Sequence, residues 1–132
     1  NAMRAALRSC GMNPEGIGHI NAHGLGTQQA DIEEAKAILE VFGPVLGRRI
    51  PVTAPKSFMG NSGAGSGTLE LAASLVGLSH GLIPQTLNYQ TPDPNCPLNI
   101  VTAQPLETDN RIVLNINVSR AGQATAAIVE VY

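Results

Sequence analysis

The chain has 132 residues, room for one ordinary domain, and carries 8 Lys+Arg against 10 Asp+Glu for a formal charge of −2. That balance leaves no basic stripe for nucleic acid or for an anionic membrane surface. Charged residues are 14% and hydrophobic ones 43%, against roughly 25% charged in a typical soluble domain, which points to apolar surface that something must cover.

No stretch approaches the roughly 18 uninterrupted apolar residues of a membrane-spanning helix, and no signal-peptide layout opens the chain, so a soluble, cytoplasmic protein is expected. Cys10 and Cys96 lie far apart with no metal-type spacing and read as free thiols. Asn1-Ala2 reads as a tag remnant, and helical spacing begins at once, as if the chain starts inside a larger fold.

In chain order, Met3, Ala6, Leu7 and Cys10 recur at helical spacing, with Gly11 as a stop. Gly18 to His23 reads as a short strand ending at a Gly-rich corner. Asp31 and Glu34 resemble a capping box opening a helix whose face is Ala35, Ile38, Leu39 and Phe42, ended by Gly43-Pro44. Residues 51–55 form a strand that delivers Lys56. A Gly-rich bend from Gly60 to Gly67 leads into a third helix, with Leu69, Leu71, Ala72, Leu75, Val76 and Leu78 apolar almost all round and Gly81 as its stop. A Pro-spaced loop, 85–97, precedes strands over 111–118 and 124–131, joined by a turn through 119–123. Strands alternating with helices predict one α/β domain over residues 1–132.

The glycine run has no Lys before a terminal Ser or Thr, which excludes a phosphate-binding P-loop, and the dinucleotide fingerprint fails as well. His23 stands at a strand end in Asn21-Ala22-His23-Gly24, a spacing that suits both a structural histidine and one facing a cleft. His19 and His80 read as structural, and Arg48-Arg49 as a solvated turn.

Asn21-Ala22-His23-Gly24, Thr27, Asp31, Glu34, Lys56-Ser57, Met59-Gly60, Gln85 to Tyr89, Pro92-Asp93 and Cys96 to Asn99 occur in an order and spacing that resemble the C-terminal half of a β-ketoacyl-acyl-carrier-protein synthase. The resemblance covers nearly the whole chain. It implies a thiolase-like α/β fold, the C-terminal half of a layered αβαβα architecture with a mixed sheet covered by helices. The N-terminal half of the family supplies a cysteine nucleophile, a role that matches neither Cys10 nor Cys96. The implied chemistry is decarboxylative Claisen condensation of acyl and malonyl thioesters, as in fatty acid or polyketide biosynthesis. No cofactor is implied, since the substrates ride on phosphopantetheine.

By resemblance, His23 is an active-site histidine donating N–H to a thioester oxygen, and Lys56 is the family lysine with Glu34 as the glutamate that pairs with it. Thr27 matches a threonine on the pantetheine arm, but is equally suited to capping the next helix. Glu34 reads equally as a salt link, and Asp31 as a cap. Three departures stand out. Asn61 replaces a second histidine, Leu25-Gly26 replaces a Thr-Ser pair, and Ser119-Arg120-Ala121-Gly122-Gln123 replaces a Phe-containing gate whose substrate-facing positions are Ser119 and Ala121. An asparagine amide can donate to an oxyanion, yet asparagine is also a favoured N-cap.

Two further readings stay open: a catalytically silent, chain-length-factor-like or scaffolding subunit, and a small ligand-binding domain that kept only the fold. The expected partners are an acyl carrier protein and the protein's own N-terminal half. The isolated chain is expected to be inactive and to form a homodimer through its third helix.

Overall fold

The computed structural model describes all 132 residues. Helix α1 (Ala2–Cys10) is followed by strand β1 (His19–Asn21), helix α2 (Gln28–Leu46), strand β2 (Pro51–Thr53), the short helix α3 (Lys56–Met59) and helix α4 (Ser66–Ser79). Strands β3 (Leu82–Ile83), β4 (Asn99–Ile100), β5 (Leu106–Glu107), β6 (Ile112–Val118) and β7 (Ala124–Glu130) complete the chain. Five strands form one mixed sheet in the order β4-β2-β1-β6-β7, while β3 and β5 pair separately. Within it β1, β2, β4 and β6 run parallel and β7 closes one edge antiparallel.

Side chains alternate across the sheet. Ile20, Val52, Leu114 and Ile116 join Met3 and Leu7 of α1 and Ile38 and Phe42 of α2 in the larger core. Val113 meets Leu78 and Ile83 on the α4 side.

The sequence expectations need four corrections. Helix α2 begins at Gln28, three residues before the expected capping box: Thr27 takes the N-cap position without a side-chain bond, and Asp31 instead accepts the Gly26 N–H at 3.2 Å. Gly43 (φ 76°) breaks this helix, but a last turn runs on to Leu46. Strands β3, β4 and β5, two residues each, escaped notice because a run that short has no periodicity.

Helix α4 is the largest departure. Ser66, Glu70, Ser74 and Leu78, four residues apart, are its buried face, while Leu69 and Val76 are 46% and 63% exposed. The polar groups are buried because they find partners. Ser74 Oγ donates to Asn21 Oδ1 at 2.7 Å, and Asn21 Nδ2 lies 3.1 Å from both the Glu70 carbonyl and Asn115 Oδ1. Asn115 Nδ2 in turn donates to the Gly67 carbonyl at 3.2 Å. A satisfied network of this kind fixes one register of helix on sheet.

Candidate active site

The connections from β1 and β6 leave in opposite directions, and open α/β sheets place their ligand crevice at such a point, outside the carboxyl ends of the strands. His23 follows β1 by two residues, Lys56 opens α3 just after β2, and Asn117 and Val118 end β6. Glu70 reaches the same place from α4.

Nδ1 of His23 lies 3.2 Å from Lys56 Nζ, 3.3 Å from the Val118 N–H and 3.3 Å from Asn117 Oδ1. An ammonium and a backbone N–H can only donate, so they assign Nδ1 as an acceptor and place the neutral ring's proton on Nε2, which has no protein partner. Burial lowers the proton affinity of His23, and the Lys56 charge lowers it further. The ring is therefore a neutral Nε2–H donor.

Lys56 does not pair with Glu34. Its ammonium is 2.6 Å from Glu70 Oε1, with the two side chains 5% and 1% exposed. The contact lies off the hydrogen-bond direction, so Oε1 has a charge partner and no directional one. Glu34 is occupied elsewhere: Oε1 accepts the His23 N–H at 2.7 Å and Oε2 accepts the Gly24 N–H at 2.9 Å. Burial pushes its carboxyl up, and the two N–H bonds oppose that rise. Its work is to hold the corner that carries His23. Gly24 (φ +49°) is required at that corner, because a Cβ there would stand 2.6 Å from the Ala54 methyl.

Asn61 is in the loop before α4, whose N-cap is Gly65, so the helix-capping reading fails. Its Oδ1 accepts from the Gly63 N–H at 3.0 Å and from Ser66 Oγ at 3.1 Å. Those donors fix the amide orientation and leave Nδ2 unpaired.

A groove of about 1100 Å³ brings together His23, Asn61, Thr27, Ser119 and Arg120. Ala121 lies in the β6–β7 turn and is not part of this lining. A second cavity of about 700 Å³ shares Leu25, Glu34 and Asn61 with the groove and holds Lys56 and Cys96. Burial and the nearby Asp93 carboxylate push the Cys96 thiol up, away from the thiolate a nucleophile needs. Cys10 is exposed on α1, and neither cysteine is in a disulfide. His19 is fully buried with both ring nitrogens unpartnered.

Sequence reasoning missed Glu70, Asn117 and the Val118 N–H. Glu70 left a usable signal: it is the single charged residue of α4, and a lone charge in an apolar helix asks for a buried partner. A backbone N–H leaves none.

The mixed sheet and the helices that cover it have the thiolase-like α/β fold. The chain belongs to the family described as beta-ketoacyl synthase, C-terminal domain, which it matches over residues 1–90. It is 38% identical over 131 residues to the tetracenomycin polyketide synthase ketoacyl synthase alpha subunit of Streptomyces glaucescens, covering 97% of this chain and 30% of that protein. It is 35% identical over 126 residues to the 3-oxoacyl-[acyl-carrier-protein] synthase 2 of Mycobacterium leprae, covering 96% and 29%. The solved structure of the ishigamide ketosynthase/chain length factor superposes with a TM-score of 0.92 at 36% identity, covering 98% of this chain and 32% of that one. The chain thus spans about 30% of the length of the curated relatives it matches.

Proposed function

We propose that this chain is the C-terminal part of a 3-oxoacyl-[acyl-carrier-protein] synthase performing decarboxylative Claisen condensation. The carrying observation is the His23 ring, whose Nδ1 is engaged by Lys56 and Val118 so that a neutral Nε2–H is left to donate. As the malonyl carboxylate departs as CO₂, its bonding electrons form an enolate whose charge gathers on the thioester oxygen. His23 Nε2–H and Asn61 Nδ2 supply hydrogen bonds to that oxygen, each worth on the order of 3 kcal/mol. The carbanion then attacks the acyl carbon and expels the nucleophile's sulfur.

In this reading the cysteine nucleophile comes from the N-terminal half, and Thr27 and Ser119 contact the carrier-bound pantetheine and acyl chain. Substrates arrive on an acyl carrier protein, and no resident cofactor takes part. Replacing His23 by Ala in the intact protein should lower malonyl-thioester decarboxylation by about 10²–10³-fold. An unchanged rate would return His23 to a structural role, and condensation by the isolated 132 residues would refute the assignment.

A second reading, a catalytically silent partner subunit, draws on Asn61 in place of the second histidine and on the lost Phe gate. A cysteine at the nucleophile position of the N-terminal half favours the enzyme, and its replacement favours the silent subunit.

The surface supports an assembly role for α4. The chain exposes 7404 Å², against about 6,600 Å² for a compact monomer of this mass. In the intact protein the N-terminal half covers Leu69 and Val76. Alone, a second copy of the chain takes its place.

A further inference from the structure

The edge of His23 that carries Nδ1 is crowded with donors, and one neighbour does not fit that pattern. Asn117 Oδ1 is an acceptor 3.3 Å from Nδ1, while Asn117 Nδ2 faces Glu70 Oε2 at 3.5 Å, which sets the amide with its oxygen toward the ring. Gly67 makes room for it, because a Cβ at position 67 would lie 2.9 Å from Asn117 Nδ2. The amide is thus held between helix α4 and the histidine at the end of β6.

We propose that Asn117 is a positioning residue for His23: the one acceptor on an edge filled by donors, it lets Nδ1 hold a proton without the ring turning. The Lys56 ammonium disfavours a proton on the ring, and Asn117 offsets it, so the imidazole keeps one orientation through a change of protonation. This rests on reading His23 as the oxyanion donor, since a ring that rotated on protonation would lose its aim into the groove.

The charged groups around the ring are Lys56 on α3, Glu70 on α4 and Asp31 on α2. Glu34 bonds the backbone N–H of His23, and Arg120 lines the same groove. Asn117→Ala and Asn117→Asp leave all of these in place.

The test is the ring ¹⁵N titration of His23 by NMR in this chain, with exposed His80 as an internal control. It needs no turnover, so it stands apart from the success of the condensation reading. The midpoint of Asn117→Ala should fall below wild type and that of Asn117→Asp should rise above it, by about one pH unit for the carboxylate. A residue that only filled space would move both variants the same way. Gly67→Ala, which pushes the amide aside and changes no titrating group, should shift the midpoint down as Asn117→Ala does, and it serves if that variant fails to fold. Shifts of like sign in the two Asn117 variants, or no shift in the folded variants, would overturn the proposal.

Discussion

Lys56 Nζ stands 3.2 Å from His23 Nδ1 while its charge is held by Glu70 from helix α4. One ammonium thereby serves two purposes, sustaining a buried pair and keeping the imidazole neutral.

Removing that ammonium separates the two. Lys56→Met leaves Glu70 buried and unpaired, which should cost about 3–5 kcal/mol, whereas Lys56→Met with Glu70→Leu should recover most of the loss. In Lys56→Met the His23 midpoint should rise, because the positive charge that lowers it is gone, and in the double variant it should rise less, because the Glu70 charge that raises it is gone as well. Denaturant unfolding and His23 titration check the two effects independently.

His19 makes stability depend on acid. Burial lowers its pKa from 6.5 to about 4, so the unfolded chain binds the proton more readily than the folded one. Stability from this residue is complete above the unfolded value and is lost as pH falls from about 6.5 toward 4, to a total of about 3 kcal/mol. His19→Leu should abolish most of that loss, as measured by unfolding free energies at pH 7 and pH 4. A variant as acid-sensitive as wild type would contradict it.

Glu34 acts through the backbone. Glu34→Ala strands the N–H groups of His23 and Gly24 and should cost about 2–4 kcal/mol. The pH sign is the reverse of the usual carboxylate. With its folded pKa raised by burial, the stability Glu34 gives is full below the unfolded value and declines as pH rises through the folded one. In Glu34→Gln that decline should vanish from the stability–pH curve, even though Gln can accept only one of the two N–H bonds well.

The outward face of α4 should control association. Val76→Asp, at a 63% exposed position, should turn a dimer of this chain into a monomer in sedimentation velocity. Leu75 is a poorer probe, because it packs against the core of Leu78 and Ile83. A wild-type chain that sediments as a stable monomer at micromolar concentration would sink the dimer.

Much of the architecture was legible because α1, β6 and β7 have strong periodicity and glycine punctuation. What misled was α4. Its leucines read as a helix buried all round, yet the side turned to the sheet is built on Ser66, Glu70 and Ser74. Polar residues bury there because Asn21 and Asn115 lie opposite, a pairing between residues 94 apart that no local window contains. The same holds at the site. His23, Lys56 and Asn61 stand in quotable motifs, but the sequence pairs Lys56 with Glu34 and passes over Glu70, its actual partner, because no local window tells which strand ends and helix face meet.

The span from His23 to Asn117 has a consequence for synthesis. These residues are separated by 94 positions, and the ring edge is complete only when β6 slots in beside β1. Contacts of such long range form late. Nascent chains halted before Ile112 should therefore lack the ring ¹⁵N signature that His23 has in the complete fold, and the geometry around Nδ1 should appear in a single step once β6 and β7 have emerged.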